Sequence, residues 1–185
     1  MEKLDPADMV LLILGAPTKD SGQEGRCAGI TRLEKLAFLV EHSDFGARAN
    51  VPPEPLQFKA YHYGPYTKKI YDAIDLLTGI RLVTERQNPS ASNLDVAEEL
   101  AALETDELGL TESDPRAPWV ERVFELTPKG RYIADVIGER VGADAVQEVS
   151  DIKDQYGAMP LKRLLREVYR AHPEMATASR IRDSL

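Results

Sequence analysis

Hydrophobic side chains along this chain fall into blocks with helical spacing, interrupted by shorter blocks in which bulky and polar residues alternate. The first block is Met9-Val10-Leu11-Leu12-Ile13-Leu14. It follows Asp5-Pro6, an N-capping carboxylate with proline at the first helical position, and Gly15 and Pro17 stop it. Residues 18–29 are rich in Gly, Ser, Asp and Lys without apolar periodicity, and read as an exposed loop. Thr31-Arg32-Leu33-Glu34 has the form of a capping box opening a second helix, with Leu33, Leu36, Ala37 and Val40 on its inner face. After the proline-bearing stretch 51–55, Gln57-Phe58-Lys59-Ala60-Tyr61-His62-Tyr63 alternates like a short strand or extended arm that Gly64-Pro65 ends. Thr67 is placed to cap a third helix with Ile70, Ala73, Ile74 and Leu77 inward and Gly79 at its stop.

Two strand-like runs follow, 81–85 and 120–126, which the pattern predicts to pair as an antiparallel ribbon. Thr127-Pro128 then opens a helix with Ile133, Val136 and Ile137 facing inward. Residues 144–156 carry Val146, Val149, Ile152 and Tyr156 on one stripe, and Pro160 starts a helix with Leu161, Leu164, Leu165 and Val168. The order of elements predicts a mainly α fold with a small antiparallel β wing, an α+β winged helix-turn-helix with additional C-terminal helices. Residues 1–142 are expected to form the winged-helix domain, with an insert at 88–118. Residues 143–185 form a helical extension that packs on it or mediates dimerisation.

Composition changes the picture in two places. No apolar run reaches the roughly 18 residues of a spanning helix, and the lone Cys27 has no partner for an internal disulfide. A cytoplasmic protein with no membrane contact is expected. The net charge of -8 is hostile to nucleic acid, yet residues 95–115 hold eight acids and no base, so the remainder of the chain is neutral. The folded body could therefore carry a positive face, and the insert could dock a basic protein.

Candidate chemistry is thin. Lys59, His62, Tyr63, Tyr66, Lys68 and Lys69 concentrate cations and aromatics before and within the first turn of the third helix, the end that meets the major groove in a helix-turn-helix. Arg81 and Arg86 extend that strip towards the ribbon, and Arg26, Arg32 and Lys35 could reinforce it. The alternative, tyrosines packed on the core and lysines merely solvated, stands beside it. His42, His62 and His172 are far apart in sequence and lack ligand-spaced partners, so no metal is expected. Cys27 reads as incidental. The 22–29 glycines do not make a phosphate loop, no nucleophile elbow is present, and no cofactor or catalytic residue is assigned.

The run Ile30-Thr31-Arg32-Leu33-Glu34-Lys35-Leu36-Ala37-Phe38-Leu39-Val40, followed by Phe58-Lys59-Ala60-Tyr61-His62-Tyr63-Gly64-Pro65-Tyr66, resembles the Panacea-type domain of phage-associated proteins and antitoxins. It also resembles uncharacterised prokaryotic winged-helix proteins that join "YHYGPY" to a terminal helix pair. Phe124-Glu125-Leu126-Thr127-Pro128-Lys129-Gly130 is similar to the wing-to-helix junction of PadR-type and MarR-type repressors. These resemblances imply a winged-helix fold and a role in toxin neutralisation, proteolytic delivery or transcriptional control, without catalysis. The expectation is a DNA-binding regulator of a toxin-antitoxin or phage-defence system, with duplex DNA as partner and a homodimer built on the C-terminal helices. The alternative is an adaptor or antitoxin that binds a partner protein and does not touch DNA.

Overall fold

The computed structural model describes residues 3–88 and 121–179. The architecture within them follows from helix α1 (Pro6–Gly15), in which Met9 to Leu14 are all buried. A helix apolar on every side has no solvent face and can only serve as the axis of a core. Asp5 caps it, its carboxylate accepting the Asp8 N–H at 2.8 Å. Helices α2 (Ile30–Glu41), α4 (Lys68–Gly79), α5 (Pro128–Val141) and α6 (Ala143–Tyr156) pack around it. Each large apolar side chain taken fully out of water contributes about 1.5–3 kcal/mol, an upper estimate for a compact unfolded chain.

The fold is α+β. Its sheet runs β1 (Arg26–Ala28), β5 (Glu121–Leu126), β4 (Val83–Asn88), all antiparallel, with Cys27 opposite Phe124 and Val83 opposite Leu126. The expected ribbon of two strands is thus present and gains a third. A separate hairpin joins β2 (Lys59–Tyr61) to β3 (Gly64–Tyr66), with Lys59 opposite Tyr66. Gly64 and Pro65 therefore lie within the return strand rather than ending the extended piece. The short helix α3 (Phe45–Arg48) follows α2 and buries Phe45.

Three further expectations are corrected. Residues 18–29 are not an open loop: they contain β1, and Cys27 within it is buried. Thr31 does not cap α2, which begins at Ile30 after Gly29 without a side-chain cap, because Glu34 is engaged elsewhere. Val136 does not face inward; on α5 the buried residues are Gly130, Ala134, Ile137 and Val141, and Ile133 packs partly buried against the core.

Helix α5 shows how closely the backbone packs. Thr127 caps it, accepting the Gly130 N–H at 3.0 Å, and donates its hydroxyl to the Arg81 carbonyl at 2.9 Å. A Cβ on Gly130 would sit 1.9 Å from the Leu82 carbonyl oxygen, so only glycine lets α5 start against the α4–β4 junction.

The C-terminal helices share the monomer's cores. Ala145 and Val149 of α6 join the main cluster, while Leu164 and Val168 of α7 (Leu161–Ala171) form a smaller one with Phe38. Leu164, Leu165 and Val168 are thus buried within the monomer, as packing of the 143–185 extension on the domain requires. The acidic insert lies outside the described residues apart from Asn88 at its edge. Among the described residues, no helix is long and apolar enough to cross a membrane.

Helix α6 also secures the connection from α1 to β1 with polar groups. Ser150 donates to the Pro17 carbonyl at 2.6 Å, and Asp154 accepts the Thr18 hydroxyl and the Lys19 N–H, each at 2.8 Å. Those two hydrogen bonds hold the Asp154 carboxyl below its ordinary pKa. Lys153 is buried and donates to the Leu14 and Ala16 carbonyls at 2.7 and 3.1 Å, closing the last turn of α1. Burial pushes its ammonium down to a pKa of about 8 from 10.5.

Between those two values the unfolded chain binds more protons at this position than the folded chain. Stability from Lys153 therefore rises with pH, is complete above 10.5 and is absent below about 8. Urea denaturation of the protein and of Lys153→Met at pH 8, 9 and 10 is expected to diverge, the wild type gaining up to about 1.4 kcal/mol per pH unit over the variant. Parallel curves would exclude a depressed pKa at this lysine.

Candidate nucleic-acid interface

The candidate residues converge on one junction because of two consecutive charges. Glu34 and Lys35 of α2 are only 2% and 1% exposed. The Lys35 ammonium donates to Glu34 Oε2 and to the Pro65 carbonyl, both at 2.7 Å. Glu34 Oε1 accepts the Thr67 N–H at 2.8 Å. The Thr67 hydroxyl donates to the Leu56 carbonyl at 2.6 Å and accepts the Lys69 N–H at 3.4 Å, capping α4 as expected. A buried ion pair is tolerable only when its remaining donors and acceptors are satisfied, and here backbone groups of β3 and the α4 cap do so. The Leu33-Glu34-Lys35-Leu36 and Tyr63-Gly64-Pro65-Tyr66-Thr67 motifs are thereby two halves of one polar lock.

The lock holds the hairpin beside α4 and lines up aromatic rings. Tyr71, Tyr66, Tyr61 and His62 follow one another with successive centroid separations of 5.6, 5.0 and 4.3 Å, the last pair stacked at 16°. The Tyr66 hydroxyl is raised above its ordinary pKa by burial and by the nearby Glu34 carboxylate. Gly64 turns the hairpin at φ +85°, and a Cβ there would stand 2.9 Å from the Tyr169 ring of α7.

The structure brings Lys59, His62, Tyr63, Tyr66, Lys68 and Lys69 together at the hairpin and the first turn of α4. Arg81 does not join them. It lies at the other end of α4, about 18 Å away for a helix of this length, in a left-handed conformation at φ 60°. Arg86 is on β4 and pairs with Glu125 at 3.1 Å, a carboxylate that also faces Arg26 at 3.8 Å. Nor do the supporting cations extend a patch. Arg32 donates to the carbonyls of Ala28 and Met159, and Lys35 is inside the protein.

Electrostatically this end of α4 is modest. Thr67 is buried, Lys68 is hydrogen-bonded to Asp72 one turn on, and Lys69 donates to the Pro55 carbonyl at 2.7 Å. The Lys68 ammonium is raised above its ordinary pKa by that Asp72 hydrogen bond. The exposed face of α4 then continues through Asp72, Asp75, Leu76 and Gly79 to Ile80. Leu76 and Ile80 are 54% and 50% exposed, and Tyr132 on α5 is 66% exposed. The end of α4 and the start of α5 are joined by the Thr127 to Arg81 hydrogen bond.

No family model, curated protein or solved structure matches this chain. The likeness to Panacea-type domains rests on the motif residues alone, and those residues build the lock.

Two groupings were missed in the sequence. His42 and His172, far apart along the chain, approach with ring centroids 5.1 Å apart around Phe38. His42 Nδ1 is 2.9 Å from the Phe38 carbonyl and His172 Nδ1 is 3.3 Å from Glu174. Nothing in their sequence spacing signals this. Among the described residues no group of three or more His, Cys, Asp or Glu is arranged to hold a metal ion. The second grouping is the exposed set Lys162, Arg163, Arg166 and Arg170 on α7, whose spacing places all four on the side opposite the leucines.

Removing one partner of the lock leaves a buried charge. Lys35→Met is expected to destabilise the chain by about 3–5 kcal/mol in chemical denaturation. Glu34→Gln leaves the Lys35 ammonium without its counter-charge and sets an amide NH2 against one of the two donors that Glu34 now accepts, so a comparable loss is expected. Equal losses below about 1 kcal/mol for both variants would show that the pair is not buried in solution.

Proposed function

We propose that this chain is a noncatalytic binding protein on a winged-helix-type scaffold, and that it docks a partner protein through the outward face of α4. The order α1, β1, α2, α4, β4, β5 and the strand order β1-β5-β4 support the scaffold: in a winged helix the first strand pairs with the last and the third helix follows the second. The observation that carries the partner is the chemistry of that outward face. A DNA-reading helix needs cations and hydrogen-bonding side chains outward. Helix α4 instead presents Asp72, Asp75, Leu76 and Ile80, with Lys68 tied to Asp72. Aspartates repel phosphate, whereas large exposed apolar groups rimmed by charge are what a protein interface uses. An antitoxin or adaptor role fits this reading.

A regulator that binds duplex DNA is the second reading. The scaffold order favours it, as do the cations and aromatics gathered at the hairpin and the first turn of α4. In that case about four phosphate contacts give a log-log salt slope near -3.6.

The two readings separate by paired variants. A photo-crosslinking residue at Leu76, expressed in the host, is expected to capture one protein, and Leu76→Asp with Ile80→Asp is expected to abolish the adduct at other crosslinking positions nearby. Both sites are exposed, so the fold is expected to change in stability by no more than about 0.5 kcal/mol per site. Lys68→Glu with Lys69→Glu should leave the adduct intact. Loss of duplex binding in that lysine variant, with no adduct at Leu76, would overturn the protein-docking reading in favour of DNA.

A further inference from the structure

Helix α7 has two chemically opposite sides. Leu164, Leu165 and Val168 are fully buried, the first and last against Phe38, and Tyr169 packs over Gly64. Lys162, Arg163, Arg166 and Arg170 are exposed on the other side. The single acid of the helix is Glu167, 3.6 Å from Arg170. Among the described residues Lys162 and Arg163 have no ion-pair partner, in contrast to the cations of the sheet and of α3: Arg86 with Glu125, Arg122 with Glu85, Arg48 with Glu148. In a chain of net charge -8, positive charge is thus concentrated on one helix face.

We propose that the outer face of α7 binds the phosphate backbone of nucleic acid, independently of the α4 surface. Lys162, Arg166 and Arg170 recur every four residues, about 6 Å apart along the helix axis. A nucleic-acid strand offers a charge about every 3.4 Å, so successive side chains reach separate phosphates. Three of the four cations are arginine, whose planar fork donates two parallel hydrogen bonds to a phosphate. A membrane surface is a poorer fit. A helix lying in a bilayer interface inserts its apolar face, and that of α7 is buried in the protein. A protein interface is poorer as well, because the large exposed apolar side chains that would anchor it are on α4 and α5 and none is on α7.

The test uses the full chain and two labelled probes of equal length, a mixed-sequence duplex and a single strand, in fluorescence anisotropy over a salt series. Wild type is expected to bind the duplex with a slope near -3.6 if all four cations engage, or a single strand with a slope near -2.8 if that is the natural form. Lys162→Gln with Arg163→Gln is expected to halve the slope and weaken binding roughly 60-fold at 0.1 M salt, the product of two lost contacts. Lys162→Glu with Arg163→Glu should weaken it further, each variant retaining the wild-type circular dichroism spectrum. Leu76→Asp with Ile80→Asp should bind as wild type does. Loss on mutating Lys68 and Lys69, with α7 variants unaffected, overturns this proposal and supports DNA contact at α4. Absence of salt-sensitive binding to either probe overturns it too, as does binding to anionic vesicles without binding to nucleic acid. Protein docking at α4 is decided by the adduct at Leu76, so failure of the α7 proposal leaves that reading to its own test.

Discussion

Two opposite charges on consecutive residues of α2, both sealed from water, dictate where the chain goes next. Removing an ammonium and a carboxylate from solvent costs several kcal/mol per ion, and their mutual attraction offsets this only when the remaining hydrogen-bonding capacity is filled. Lys35 finds the Pro65 carbonyl and Glu34 the Thr67 amide. Both groups belong to one short segment, so β3 and the cap of α4 are held against α2. The cap of α4 at Thr67 is consequently a buried, hydrogen-bonded joint, and the amides of Thr67 and Lys69 are already used, although Lys68 beside them is exposed. The same feature that makes the motif recognisable limits what the motif can bind.

A second level of constraint comes from α1. Its apolar circumference leaves no face for water, so α2, α4, α5 and α6 each turn a side to it, and α4, α5 and α6 offer the other to solvent. Apolar packing alone would leave the carbonyls at the end of α1 unsatisfied. Lys153 reaches them, with Ser150 and Asp154 fixing the following residues, so one polar edge of α6 secures a connection that crosses more than a hundred residues of sequence. That lysine stays a donor to two carbonyls even as burial lowers its pKa to about 8.

What the sequence revealed and what it hid follow from the range of the interactions involved. Starts such as Asp5-Pro6, Thr67 and Thr127-Pro128 depend on atoms within three residues, and all three caps are found where the local pattern puts them. The pairing of β4 with β5 was legible from Leu82-Val83-Thr84 and Val123-Phe124, although the observed β4, Val83–Asn88, starts two residues later and runs further than the 81–85 pattern predicts. Strand β1 was not, since Arg26-Cys27-Ala28 has no alternation to display and is a strand only because β5 accepts it. The capping box failed for a related reason: Glu34 had a local amide available, but a distant one on Thr67 and the charge of Lys35 won. Of the candidate site, the cluster at the α4 end was readable as a set, while the internal engagement of its lysines was not. Asp72 and the Pro55 carbonyl are near in sequence but become partners only in the folded geometry.

Net charge is a poor guide to what such a surface can meet. At physiological ionic strength the screening length is about 8 Å, so a phosphate touching α7 responds to the arginines beside it and hardly to carboxylates on the far side of the protein. An overall charge of -8 therefore does not repel a polyanion uniformly; the outer face of α7 keeps four cations close together, of which Lys162 and Arg163 have no ion-pair partner among the described residues. With α7 built on the inner side into the cluster around Phe38, the cations cannot swing away from their row without giving up buried leucines. In the proposed contact, a helix fixed along its inner side offers one lysine and three arginines to a phosphate backbone from one direction, without requiring α4 to enter a groove.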